Sequence, residues 1–107
     1  HLEPDISRLI TLAEAGVWIE LDGLAWGGDA QHADILLKLL KRGFADRILL
    51  SQDAGWYNIG EENGGKIIRY TRLKSEFLPL LKEQGVTDTV IEKITRRNPA
   101  RAFACHT

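Results

Sequence analysis

The chain has 107 residues, the size of one ordinary domain or part of one, which argues for a single cooperative unit. Against 15 Asp plus Glu stand 14 Lys plus Arg, for a formal charge of -1, so binding driven by charge to nucleic acid or to an anionic membrane is disfavoured. Hydrophobic residues at 44% and charged residues at 27% are ordinary for a globular chain, and no apolar run reaches the roughly 18 residues that a membrane span needs.

The first amphipathic stretch follows Asp5 and Ser7: Ile6, Leu9, Ile10, Leu12 and Ala13 recur at helical spacing until Gly16, predicting a helix over 6–15. Val17-Trp18-Ile19-Glu20-Leu21-Asp22-Gly23 is short, β-branched and aromatic, and reads as a buried strand. Gly27-Gly28-Asp29 is expected to be a loop. Ile35, Leu36, Leu37, Leu39 and Leu40 then mark a second helix, closed by Lys41-Arg42-Gly43 with its cations at the negative end. Arg47-Ile48-Leu49-Leu50-Ser51-Gln52-Asp53 is a continuous apolar run with a polar end, the pattern of a strand buried on both faces of a parallel sheet.

Residues 54–68 form a glycine-rich loop far longer than an ordinary βα connection. Leu73, Phe77, Leu80 and Leu81 predict a third helix, and Val86 to Ile94 a fourth. Asn98-Pro99 reads as the N-cap and first turn of a short last helix reaching Phe103. Strands alternating with helices place the chain in the α/β class with right-handed crossovers. Two parallel strands leave both sheet edges open, so the chain is expected to oligomerise, to hold a further strand, or to be part of a larger α/β protein.

Chemistry in such folds collects at the C-terminal ends of the strands. Asp53 sits there, before a glycine-rich loop, where a carboxylate can bind a metal or act as a general base; capping the loop is the alternative. Asp22 ends the preceding strand and is read as a structural hydrogen-bonding residue. Trp26, Trp56 and Tyr57 follow the strands and either wall an apolar substrate pocket or pack over the sheet end. His32 is expected on a solvated face at the start of the second helix, and His106 lies in the tail; neither has a partner at ligand spacing.

Cys105 is the only cysteine, which excludes an internal disulfide and a thiolate metal site and is compatible with a cytoplasmic location. The N-terminus lacks a signal-peptide pattern, Met is absent throughout, and a start at His1-Leu2-Glu3-Pro4-Asp5 reads as a cut through a longer sequence.

Ile48-Leu49-Leu50-Ser51-Gln52-Asp53-Ala54-Gly55-Trp56-Tyr57 resembles the eighth-strand segment of the phosphotriesterase family of the amidohydrolase superfamily. Gly16 to Gly23 is similar to that family's seventh strand, and Asn98-Pro99-Ala100-Arg101-Ala102-Phe103 to its terminal helix. The resemblance implies a (β/α)8 TIM barrel of which residues 1–107 are the C-terminal portion: the end of strand six, then strands seven and eight with their helices, all within one metal-dependent hydrolase barrel.

In that family two divalent metal ions sit at the barrel mouth, bridged by a carboxylated lysine and a hydroxide. Zinc is foremost among the metals implied, with cobalt, iron or manganese as alternatives. The resemblance makes His1 a metal ligand, and Asp53 both a metal ligand and the catalytic acceptor of the hydroxide proton. It places Trp56, Tyr57 and the loop to Ile68 around the substrate, a small-molecule lactone, ester or organophosphate, and Trp26, which follows the preceding strand, is taken as a further substrate-binding residue. The implied activity is hydrolysis of lactones or esters, with organophosphate triesterase activity secondary and the complete protein a homodimer. Of the family's metal ligands only His1 and Asp53 have counterparts here, and Gln52 replaces a histidine often found beside the aspartate, so the 107 residues alone are expected to be inactive. A reading of a different class is a non-catalytic βα module that binds a ligand or partner through Asp53 and the aromatic loop.

Overall fold

Asp5 starts the first helix of the computed structural model, which describes residues 3–105. Its carboxylate accepts from the Ser7 N–H at 3.0 Å and the Ser7 hydroxyl at 2.6 Å, capping α1 (Ile6–Glu14). The chain then runs through β1 (Ile19–Leu21), a 3₁₀ turn at Leu24–Trp26, α2 (Asp29–Lys41) and β2 (Ile48–Leu50). The strands pair in parallel, Ile19 opposite Ile48 and Leu21 opposite Leu50. Regular pairing is shorter than the predicted runs, yet the alignment continues, with Ser51 N–H donating to Leu21 O at 3.1 Å and Ala25 N–H to Gln52 O at 2.9 Å.

The connection from β1 through α2 to β2 is the parallel crossover that the alternating pattern predicts. On β1 the side chains of Ile19 and Leu21 are buried against the helices while Glu20 between them is exposed. One face of β1 is thus uncovered among the described residues, whereas on β2 the successive side chains of Ile48 and Leu49 are both buried, as the continuous apolar run predicts. The core behind them is built from Leu9 and Ala13 of α1, Ile35, Leu36 and Leu39 of α2, and Phe77, Leu81 and Ile94 from the C-terminal helices.

Those C-terminal helices share one local device. A π-type turn at Leu73–Phe77 runs into α3 (Leu78–Glu83), and a second at Lys93–Arg97 joins α4 (Asp88–Glu92) to α5 (Asn98–Phe103). Each turn is followed within two residues by a proline, Pro79 or Pro99. A proline has no N–H to return and its ring crowds the carbonyl four residues earlier, and a widened turn accommodates both defects without ending the helix. Asn98 is therefore not the N-cap that the sequence suggested. It is helical at φ -63°, ψ -49°, and fully buried, and its side-chain amide donates to Ala45 O at 2.7 Å and Ile48 O at 2.8 Å. The Asn-Pro pair anchors the last helix to the start of β2.

The same end of the sheet is braced by Trp18, whose ring lies 5.4 Å from the Arg47 guanidinium and 5.6 Å from that of Arg101. Asp46 beside it pairs with Lys93 at 3.0 Å and Arg101 at 3.7 Å. No helix among the described residues is long and apolar enough to cross a membrane.

Candidate functional site

At the opposite end of the strands the backbone is strained. Asp53 has φ 49°, a left-handed conformation uncommon outside glycine and better tolerated by Asp and Asn than by most residues. Two indoles hold it there. Trp26, at the end of the 3₁₀ turn after β1, donates its Nε1–H to Asp53 O at 2.9 Å. Trp56 donates to the same carbonyl at 3.1 Å and to Asp53 Oδ1 at 2.9 Å. Both rings remain more than half exposed, at 58% and 56%, so the tryptophans are orienting residues as much as packing ones.

Gln52 secures the other side. Its Oε1 accepts from Leu73 N–H at 3.0 Å, and its amide donates to the backbone carbonyl of Tyr70. The side chain thus ties the end of β2 to the far end of the long loop. Gly55 is required in this arrangement, because a Cβ built there would overlap the Tyr70 hydroxyl and its φ of 89° disfavours a side chain. Tyr57 lies over Gly64 in a similarly close approach.

Asp22 directly follows β1, and its Oδ1 accepts from Gly23 N–H at 2.7 Å, in keeping with a structural role. His32 overturns its expectation. It lies in the first turn of α2 but is only 5% exposed, with Nδ1 2.9 Å from Gly28 O and Nε2 2.7 Å from Asp22 O. The reason is the early helix start: α2 begins at Asp29, directly after Gly28, which turns residue 32 inward between the helix N-terminus and the β1 end. Both ring nitrogens thus face backbone carbonyl oxygens.

These residues enclose a cleft of about 530 Å3 lined by Asp22, Gly23, Trp26, His32, Asp53, Trp56, Tyr57 and Asn58. The sequence-predicted residues Asp53, Trp26, Trp56 and Tyr57 converge on it, while His1 lies outside the described residues. His32, Asn58 and the tethering role of Gln52 were not anticipated. Among the described residues no three His, Cys, Asp or Glu side chains gather as a metal site. Asp53 offers a carboxylate suited to a hard divalent cation, with Oδ1 already oriented by Trp56, so it fits as one contributor to a metal centre rather than as the whole of one.

Beside the cleft, Arg72 binds Asp29 through two hydrogen bonds at 2.9 and 3.1 Å and contacts Glu76 at 3.2 Å. The hydrogen bonds to Asp29 hold its guanidinium proton more firmly than usual, raising its pKa, and burial opposes them only in part.

Residues 1–103 match the model of the phosphotriesterase family. A phosphotriesterase-related protein of Drosophila sechellia is 30% identical over 94% of this chain, which corresponds to 32% of that protein. Among solved structures, a resiniferatoxin-binding protein from Rhodobacter sphaeroides superposes with a TM-score of 0.79 at 30% identity, over 92% of this chain and 30% of that one. An organophosphorus hydrolase mutant from Deinococcus radiodurans superposes with a TM-score of 0.80 at 28% identity, over 95% and 35%. The chain spans about a third of the length of the curated relatives it matches, so its α/β architecture is the corresponding portion of a phosphotriesterase-like TIM barrel.

Proposed function

The chain belongs to the phosphotriesterase family, and from that premise we propose that the complete polypeptide is a binuclear metal-dependent hydrolase of lactones or esters, with organophosphate triesters as secondary substrates. The observation that carries this reading is the Asp53 carboxylate, held at the end of β2 by an indole and facing a cleft walled by two tryptophans and a tyrosine. Asp53 and His1 are the residues of this chain proposed to hold metal, with zinc foremost. Two divalent cations in such a mouth would lower the pKa of bound water and polarise a carbonyl or phosphoryl oxygen.

The chain's own residues then have distinct tasks. Asp53 accepts the proton of the attacking water, and the Trp56 N–H on Oδ1 fixes which carboxylate edge is presented. Trp26, Trp56 and Tyr57 exclude water and take the apolar part of the substrate. Residues 1–107 form one C-terminal portion of this barrel and, bearing only part of the ligand set, are proposed to be inactive alone. A homodimer in the cytoplasm is proposed for the complete protein, and the single, exposed Cys105 fits a reducing compartment.

The test is metal analysis of the complete protein together with turnover of an aliphatic lactone series before and after chelation. About two metals per chain and lactone turnover lost on chelation are expected; turnover insensitive to chelation would reject the reading. A second reading, a ligand-binding site without turnover, is favoured by the relative described as a resiniferatoxin-binding protein. Saturable binding of an apolar ester by the metal-loaded protein, with no hydrolysis, would select it.

A further inference from the structure

A second cleft of about 720 Å3 lies beside the first, bordered by Lys66, Arg69, Thr71, Arg72, Ser75 and Glu76 among others. A small recess lies between the two, its walls including Trp26, Trp56 and Asn58 from the Asp53 cleft and Lys66 and Ile68 from the second. The second cleft carries three cations, and they are not equivalent. Arg72 is bound by Asp29 and Glu76, so its charge is spent within the fold. Lys66 and Arg69 have no carboxylate partner among the described residues.

The segment bearing these two cations is fixed relative to Asp53. Gln52, the residue before Asp53, donates to Tyr70 O, the residue after Arg69. Tyr70 in turn packs against Gly55, two residues beyond Asp53. One side of the tryptophan wall therefore presents the carboxylates of Asp22 and Asp53, and the other presents two unpaired cations with the side chains of Thr71 and Ser75 beside them.

We propose that Lys66 and Arg69 form an oxyanion subsite that selects esters or lactones carrying a carboxylate or phosphate group remote from the reacting carbonyl. This rests on the hydrolase reading above. Lys66 and Arg69 attract its anionic end on their side of the indole wall, leaving the uncharged ester beside Asp53. Lysine supplies a mobile point charge beside the recess, and arginine a planar fork that matches a carboxylate or phosphate.

The experiment compares p-nitrophenyl monoadipate, which ends in a carboxylate, with p-nitrophenyl hexanoate, its neutral counterpart, in the complete metal-loaded protein and in the double variant Lys66→Gln/Arg69→Gln. The expected result is a preference for the anionic ester that falls at least tenfold in the variant, through KM rather than kcat. In the unaltered protein the preference should also shrink as salt is raised. A matched phosphate-ended ester shows which oxyanion is favoured. An unchanged preference, or an equal loss for both esters, overturns the subsite. If neither ester is hydrolysed the hydrolase reading fails, and the subsite is then judged by calorimetric titration with monoethyl adipate: at least tenfold weaker binding in the variant supports it, and equal binding overturns it.

Discussion

The two ends of the short parallel sheet are held by different physics. At the start of β2 the contacts are redundant, with a buried one at their centre: Asn98 donates twice from the core, while nearer the surface Trp18 meets two guanidiniums and Asp46 bridges Lys93 and Arg101. At its far end a left-handed Asp53 is held by hydrogen bonds from two half-exposed indoles, and the loop after it is anchored through Gln52 and two close glycine contacts. The division matches the TIM-barrel pattern, in which residues at the strand starts stabilise and residues at the strand ends react. Substitutions at the first end should therefore lower stability, and substitutions at the second should alter chemistry at nearly constant stability.

The largest expected effect is at the mouth. Asp53→Asn keeps the size of the side chain and an oxygen able to accept from Trp56, and Asn tolerates the same left-handed backbone. It removes the negative charge and the base. In the complete protein kcat should fall by about three orders of magnitude or more, with the thermal midpoint nearly unmoved. A loss of less than tenfold would remove Asp53 from the mechanism.

The complementary break is at the other end. Asn98→Ala deletes two buried hydrogen bonds and leaves the carbonyls of Ala45 and Ile48 without that donor. Each unsatisfied buried acceptor costs about 1–3 kcal/mol, so a loss of about 3 kcal/mol is expected in denaturant unfolding of the complete protein. KM of the folded fraction should not change. Should KM shift while stability holds, the proposed division between the two ends would collapse.

Trp56→Phe probes the boundary between orienting and packing. The apolar wall survives, but the N–H to Asp53 O and Oδ1 is gone. A decrease of about tenfold in kcat is expected from a freed carboxylate, on the scale of losing an interaction with an orienting neighbour. Trp56→Ala, which also removes the wall, should in addition change kcat/KM for long-chain substrates relative to short ones. If Trp56→Phe retains full kcat, the indole serves only as a wall.

How much of this was legible follows the same division. The α/β alternation, the parallel pair and the convergence of Asp53, Trp26, Trp56 and Tyr57 follow from apolar periodicity and from the rule that sites collect at strand ends. His32 was misplaced because its burial depends on where α2 starts, and Gly28 fixes that start through its φ of 81°, not through any side-chain cap. Asn98 was misread because Asn-Pro has the composition of a helix start, whereas its environment is set by a π-type turn and by carbonyls some fifty residues away in sequence. The indole hydrogen bonds depend on the left-handed turn at Asp53, a tertiary outcome with no glycine to announce it. Aromatic residues near a strand end were visible; the direction of their N–H groups was not.

The smallest effect concerns pH and the stabilising end alone. The hydrogen bond from Lys93 to Asp46, assisted by the charges of Lys93, Arg101 and Arg47, holds the Asp46 carboxyl below its ordinary value of 3.8. A carboxyl depressed on folding contributes stability that is fully present above its unfolded pKa and is lost as pH falls through the folded one. The contribution is small, because Asp46 is more than half exposed and water screens the pair. Asp46→Asn should therefore be slightly less stable than the unaltered protein at pH 7, and the gap should narrow as pH is lowered from 4 through the folded pKa. Denaturant midpoints of both proteins across that interval measure it. A gap that stays constant with pH would mean that Asp46 acts through packing or neutral hydrogen bonding, and that the charge pairs at this end add nothing to what Asn98 and Trp18 already secure.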